Sequence, residues 1–326
     1  MKLQAENAIS AKISILIVCY NSLSDIALCM ASVIENLRKD SVDAEVLLLD
    51  NSNDGTVEFI SKNYPQVQII DNHVNLGFAA GNNLLAENAK GEYLLLLNPD
   101  TKLYEGAIKN LISIAKAYPE SGAWGGATYF PDGSREYSSL QVDPTLGREL
   151  INLFGLSRHF PGRKSLNATD ELTPVLSGAF MMISKRIWDQ LGGFDTEYFL
   201  YSEEVDICFR IRKLTGSMLL MSERAKVTHF VGKSSTNSGR TLLMYKGKMH
   251  YSRKHYGKIY SFFYAIVIWL YAFSRFILGW MVNLCPPNGR ARNLVEKFQL
   301  VVSSPSKWIS GYQDFVNDSK QSRSGV

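Results

Sequence analysis

The strongest constraint on this chain is a rhythm. Over residues 13–126, short apolar runs alternate with stretches of helical spacing. ISILIVC (13–19) is an almost unbroken run rich in β-branched residues, the mark of a strand buried on both faces. Residues 23–37 then place Leu23, Ile26, Ala27, Met30, Val33, Ile34 and Leu37 on one helical stripe. The alternation continues with a strand at 45–50, a helix near 56–63, a strand at 67–71, a helix near 78–89, a strand at 93–98 and a helix at 104–118. Strands separated by helices join through right-handed crossovers, so the pattern predicts an α/β fold with a mixed, mostly parallel sheet. Residues 129–173 are richer in Gly, Pro and polar residues and read as a long connection or flap. Regular pattern returns with a strand at 175–184, helices near 185–191 and 203–215, and two closing strands at 217–222 and 225–232.

Composition narrows the class further. Hydrophobic residues make up 46% and charged residues 20%, which excludes disordered and collagen-like chains. Cys19, Cys29, Cys208 and Cys285 form no CxxC pair and no zinc spacing, so they read as buried hydrophobes of a reducing compartment. The opening MKLQAENAISAK lacks the apolar stretch of a secretory signal, and the sequon Asn167-Ala168-Thr169 therefore carries no glycosylation reading.

Charge divides the chain at residue 237. Residues 237–326 hold 13 Lys/Arg against 3 Asp/Glu, a net +10, while residues 1–236 carry −6. Within this basic tail, Ile259–Ser274 is uncharged and mostly aromatic or aliphatic, and Arg275 interrupts the apolar pattern before FILGWMVNLC. Tyr260, Tyr264, Tyr271 and Arg275 share one helical stripe, opposite Phe263, Ile266 and Ile277. Lys246, Lys248, Arg253, Lys254 and Lys258 precede the apolar block; Arg290, Arg292 and Lys297 follow it. A single span would set one of these clusters on the wrong side of a bilayer, so an interfacial helix or shallow re-entrant hairpin on an anionic surface is expected ahead of a span or a core helix. The aromatics do not interleave with the basic residues, which disfavours nucleic acid.

Several nucleotide signatures fail. No GxGxxG follows the first strand, and Gly232-Lys233-Ser234 lacks the earlier glycine and following helix of a phosphate loop. What remains is a set of acids at strand ends, where an open α/β sheet binds ligands. Asp50 closes EVLLLD and leads into NSNDGT, in which Asp54 reads as a helix cap. Asp100 follows YLLLLN in an Asn98-Pro99-Asp100 turn. Glu203, Glu204 and Asp206 open an apolar helix, which its dipole favours. Asp206 and Arg210 read as an i,i+4 ion pair, whereas the adjacent Glu203 and Glu204 would raise one another's pKa toward that of a general base. His229 stands in a closing strand, as a structural histidine or as a metal or phosphate contact.

Taken in order, ISILIVCYN, LLLDNSNDGT, NLGFAAGNN, LLLLNPDT and SGAFMMISKRIWDQLGGFDTEYFLYSEEVDICFRIRKLTG resemble the family 2 inverting glycosyltransferases of GT-A fold, in particular bacterial rhamnosyltransferase-like enzymes of polysaccharide assembly. The resemblance implies a Rossmann-like nucleotide-diphospho-sugar transferase domain over 12–236, with 237–326 as a helical, membrane-associating extension. It implies that Tyr20, Asn21, Asp50 and Asn51 hold the nucleotide, and that Asn75, Gly77, Gly81 and Asn82 shape the loop near nucleotide and sugar. Asp100 falls at the metal-binding DxD position, where Asn98 replaces the first acid. Mg²⁺ or Mn²⁺ would then be held mainly by the donor diphosphate, with Asp100 and His229 as protein ligands.

Glu203–Glu204 falls at the position of the catalytic base, the second residue being the usual one, although Glu stands where Asp is commoner. The carboxylates of Asp50, Asp100 and Glu204 are expected around a single cleft. The expected donor is dTDP-L-rhamnose, with UDP-hexoses, UDP-galactofuranose and GDP-sugars as alternatives, and the expected acceptor is a lipid-linked saccharide at the cytoplasmic face of the bacterial inner membrane. A membrane-tethered sugar-nucleotide binding protein or inactive partner subunit of the same fold is the competing reading. A nucleotidylyltransferase would want a glycine- and basic-rich loop where Cys19-Tyr20-Asn21-Ser22 stands.

Overall fold

The computed structural model describes residues 12–70, 72, 74–136, 142–157, 164–230, 237–283 and 289–312, so Cys285 and Gly232-Lys233-Ser234 lie outside the described residues. The chain forms two compact units. One comprises residues 1–142, 163–194 and 207–232; the other comprises residues 143–162, 195–206 and 233–326. The C-terminal region is thus joined in its unit by two segments from earlier in the chain.

The first unit opens with β1 (Ile13–Cys19), α1 (Leu23–Asp40), β2 (Ala44–Asp50), α2 (Thr56–Asn63), β3 (Gln68–Ile70), α3 (Gly77–Asn88) and β4 (Tyr93–Leu97), as the apolar rhythm predicts. It continues through β5 (Thr101–Leu103), α4 (Ala107–Ala117), β6 (Ala123–Tyr129), β7 (Lys164–Ser165), β8 (Asp170–Thr173), β9 (Phe180–Ser184) and α6 (Lys185–Leu191). Helix α7 (Glu203–Thr215) begins in the second unit, and β10 (Leu219–His229) closes the first. Among the described residues the strands form one sheet, ordered β3-β2-β1-β4-β9-β6-β10-β8-β7, with β5 paired to β10. β3, β2, β1 and β4 run parallel, β9 is antiparallel to its neighbours, and β6 runs parallel to β10. Ile13, Ile15, Ile17, Leu48, Leu95, Met30, Val33 and Ile112 fill one continuous core.

Two departures from the sequence reading have simple causes. Strand β6 carries Gly125 and Gly126, which weaken any strand signal; a Cβ at Gly126 would stand 2.3 Å from Phe180, and one at Gly125 2.7 Å from Leu176. The two closing strands are one, β10, with a register shift between Ser222 and Lys226 that hides its continuity. Cys19, Cys29 and Cys208 are buried, as expected.

In the second unit, α5 (Leu146–Leu153) lies inside the stretch read as a flap; Thr145 caps it by accepting the Arg148 N–H at 3.2 Å. Helix α8 (Asn237–Asn283) kinks at Gly257 (φ 80°, ψ 177°), and α9 (Gly289–Ser303) follows. Tyr245, Met249, Tyr264, Ile268, Ala272, Phe298, Val301 and Trp308 form this unit's core. The tyrosine stripe faces α5: Tyr260 Oη accepts the Leu146 N–H at 2.5 Å, and Tyr264 donates to Glu149 at 3.3 Å. Arg275 leaves the apolar face by stacking over Tyr271, 4.9 Å from the ring centroid, and donating to the Asn152 carbonyl. The opposite face exposes Ile259, Phe262, Phe263, Ile266, Leu270, Phe273, Trp280 and Met281. By length and composition α8 is apolar enough to cross a membrane, with a mean hydropathy of 1.8 in its most apolar stretch.

Candidate active site

Strands β1, β2 and β4 are parallel and therefore end at one sheet edge, and the order β3-β2-β1-β4 makes the gap between β1 and β4 a topological switch point, where an α/β sheet offers a crevice. Asp50 ends β2 opposite Cys19. Its Oδ1 accepts the Ser52 N–H at 3.0 Å and the Ser52 hydroxyl at 2.7 Å, while Oδ2 is buried with no hydrogen-bond partner among the described residues. Burial raises its pKa above the usual carboxylate value although the Ser52 bonds pull the other way. A buried acceptor without a donor costs free energy that a ligand N–H or O–H would recover. Tyr20 is about half exposed beside it, and Asn21, in the left-handed region at φ 51°, donates its N–H to Ser52 Oγ at 2.9 Å. The loops after β1 and β2 are therefore tied together. Asp54 accepts the Leu23 and Thr56 N–H groups at 2.9 and 3.1 Å, serving the starts of α1 and α2.

Asn51 braces the neighbouring loop. Its Oδ1 accepts from Asn72 at 3.1 Å and from the Leu76 N–H at 3.0 Å, and its Nδ2 donates to Gly77 O at 3.1 Å. Asn75 accepts the Gly77 N–H at 2.9 Å, and Gly77 takes φ +77°, which a residue without Cβ adopts freely. Gly81 and Asn82 lie deeper. A Cβ on Gly81 would press on Val18 at 3.1 Å, and Asn82 is buried with its amide on Phe78 O. Both are packed within α3 against the sheet and do not line the loop surface.

Beyond β4, Asn98 donates its N–H to Ala179 O at 3.1 Å and accepts the Thr101 hydroxyl at 2.7 Å. Pairing of β5 with β10 puts Thr101 opposite His229, which brings His229 Nε2 to 3.3 Å from Asp100 Oδ1. His229 Nδ1 lies 3.0 Å from Glu136 Oε2. Burial opposes protonation of this imidazole, but Asp100 and Glu136 outweigh it and lift the pKa to about 9. Glu136 is a residue that the sequence reading missed, because it stands in an irregular loop with no periodicity. The donor set fits a divalent cation: two ligand atoms each about 2.1 Å from one ion lie roughly 3.0–3.4 Å apart, and a carboxylate on the far ring nitrogen is the usual orienting partner of a metal-bound histidine.

Glu203 and Glu204 belong to the second unit, whereas Asp50, Asp100 and His229 belong to the first. Both glutamates are more than nine-tenths buried in the first turn of α7, and Glu203 Oε2 has no hydrogen-bond partner among the described residues. Burial, reinforced by the neighbouring Glu204 charge, raises the Glu203 pKa well above the ordinary value. The two residues ahead of them, Tyr201 (φ 70°) and Ser202 (φ 74°), are both left-handed without being glycine. Such backbone costs about 1–3 kcal/mol per residue and collects at functional sites. In the same unit Asp195, Glu197 and His250 each bring a ligand atom within 4.8 Å of the others, and Lys254 bonds Asp195 there at 2.6 Å.

The glycosyl transferase family 2 model matches residues 14–192. An N-acetylglucosaminyl-diphospho-decaprenol L-rhamnosyltransferase of Mycobacterium tuberculosis is 30% identical over 210 residues, covering 58% of this chain and 67% of that protein. The rhamnosyltransferase WbbL of Escherichia coli K12 is 25% identical over 191 residues, covering 55% and 70%. Among solved structures, a Pyrobaculum calidifontis mannosyltransferase in complex with GDP-Man and Mn²⁺ superposes with a TM-score of 0.58 at 14% identity, covering 94% of this chain and 88% of that one. That likeness shows the fold.

Proposed function

The chain belongs to glycosyl transferase family 2, and from that premise we propose that it moves L-rhamnose, from dTDP-L-rhamnose, onto a lipid-linked saccharide in bacterial surface polysaccharide assembly, with inversion at the anomeric carbon. The observation that carries the reading is the buried Oδ2 of Asp50, donorless among the described residues, at the carboxyl end of β2 beside β1, in a chain with rhamnosyltransferase relatives. Asp50 accepts from the base or ribose, and Tyr20, Asn21, Asn51 and Asn75 shape the surrounding loops. Asp100 and His229 would hold a divalent cation, Mg²⁺ or Mn²⁺, with Glu136 fixing the imidazole. A bound cation supplies neutralisation of the charge that develops on the leaving diphosphate.

Glu204 serves as general base, with Glu203 beside it keeping the pair's proton affinity high. Its carboxylate takes the acceptor hydroxyl proton as that oxygen bonds to the anomeric carbon, and the sugar–diphosphate bond breaks on the opposite face. No covalent glycosyl-enzyme is required. The exposed apolar face of α8, with Lys258, Arg292 and Lys297 nearby in sequence, rests on the anionic cytoplasmic leaflet, where a polyprenyl-linked acceptor is presented.

A thermal-shift panel of nucleotide sugars, with and without Mn²⁺, tests the donor, since a ligand of the native state raises the unfolding midpoint. dTDP-L-rhamnose is expected to give the largest shift, and transfer to a polyprenyl-diphosphate GlcNAc acceptor is expected only with that donor. Binding without transfer to any lipid-linked acceptor would favour the partner-subunit reading.

A further inference from the structure

Among the described residues, the C-terminal region reaches residues 200–206 through Tyr312, Gly247 and the pair Lys254 and His255, all inside the second unit. The fully buried Tyr312 donates its hydroxyl hydrogen to the Leu200 carbonyl. Gly247, on α8, lies against the two left-handed residues: a Cβ there would stand 2.5 Å from Tyr201 O and 2.6 Å from Ser202 Oγ. Farther along α8, Lys254 Nζ and His255 Nε2 lie 2.8 and 2.7 Å from the same oxygen of Asp206, whose side chain is wholly buried.

These contacts bracket Glu203 and Glu204. Tyr312 fixes the chain ahead of the pair, Gly247 leaves room for the turn, and Lys254 and His255 hold the helix just after it through Asp206. Consecutive left-handed non-glycine residues persist only where the surroundings over-determine them. The Ser202 carbonyl also accepts the Asp206 N–H at 2.9 Å, so the turn and the anchored aspartate form one unit of structure.

We infer that the C-terminal region, besides meeting a membrane, belongs to the catalytic apparatus: Tyr312, Gly247 and His255 are positioning residues that hold the Glu203–Glu204 turn in its working conformation. The inference rests on the assignment of that pair as the base. It also identifies Tyr312 at the far end of the described chain as functional, although it touches no reacting group.

The test uses the full 326-residue chain with Tyr312→Phe, His255→Ala and His255→Gln, compared with Glu203→Gln and Glu204→Gln. A shift of the base by about 1 Å costs on the order of 10²-fold, so Tyr312→Phe and His255→Ala are expected to lower kcat by that factor. The affinity for dTDP, titrated calorimetrically, should stay at the wild-type value, and the acid limb of the kcat profile should move. His255→Gln, whose amide still donates to Asp206, should recover most of the loss. Wild-type kcat in Tyr312→Phe and His255→Ala, a parallel fall in dTDP affinity, or no recovery in His255→Gln would each overturn the inference. If Glu203→Gln and Glu204→Gln both turn over normally, the base assignment itself fails. If either is impaired while the positioning variants are not, the positioning inference alone fails.

Discussion

Single side chains in this protein are specified by what surrounds them more than by their type. Without a metal, the two carboxylates that flank His229 favour its protonated form, and the same arrangement aims Nε2 and Asp100 Oδ1 at one point, where a bound cation would take the place of the Nε2 proton. Asp100→Ala is therefore expected to abolish measurable Mn²⁺ binding in a calorimetric titration, whereas Glu136→Ala should weaken it by roughly 10–100-fold, the usual effect of losing an orienting partner. Equal affinity in Glu136→Ala and the parent would remove that role. Glu203 has the opposite character, a carboxyl whose charge the fold disfavours. Its pKa is higher folded than unfolded, so the native state binds the extra proton, and stability falls as pH rises from the ordinary carboxylate range through the raised value. Glu203→Gln should consequently melt above the wild type at about pH 8, and the difference should vanish near pH 4, where both states are protonated. A variant that melts below the wild type at the higher pH would contradict the assignment of burial as the cause.

At the scale of elements, helix α8 depends on polar contacts along its inward face. Burial works against ionisation of Glu149, but Lys248 at 2.6 Å overrides it and holds the pKa below the ordinary value, with Asn152 and Tyr264 adding hydrogen bonds. Removing one partner of such a buried pair leaves an uncompensated charge and costs about 3–5 kcal/mol, so Lys248→Met should destabilise the second unit by that amount in denaturant unfolding. Adding Glu149→Gln should restore much of it. Because the folded pKa is depressed, the pair's contribution is present above the unfolded carboxylate pKa and is lost as pH falls through the folded value. The loop after β3 offers a second case. Asn51→Ala strips the acceptor from the Leu76 N–H and the donor from Gly77 O, at a cost of roughly 1–3 kcal/mol for groups left without partners, and should raise the KM for the nucleotide sugar.

For the molecule as a whole, the exposed stripe of α8 makes the proposed membrane attachment testable without truncation, which would also remove the residues that hold the Glu203–Glu204 turn. Phe262, Phe263 and Ile266 are each about half exposed, and full burial of such a side chain is worth about 1.5–3 kcal/mol. Their exposed halves together are worth roughly 2–4 kcal/mol, so replacing all three by Ser should weaken binding to anionic vesicles, read by sedimentation, by roughly 30–1,000-fold. Undiminished sedimentation would mean that another surface carries the attachment. Local rules determined much of this protein from the sequence alone. The period of apolar residues set β1 through β4 and α4, though not the short β5, because buried strands and amphipathic helices must repeat at fixed intervals. The strand-end acids and the tyrosine stripe of α8 were visible for the same reason. Only the tertiary structure decided the rest: glycine-bearing β6, the orphaned oxygen of Asp50, Glu136 behind His229, and the contacts of Tyr312 with the turn before α7 and of His255 with the first turn of that helix. Those features join residues tens to more than a hundred positions apart, and their energies come from burial and partnership, which no periodicity along the chain encodes.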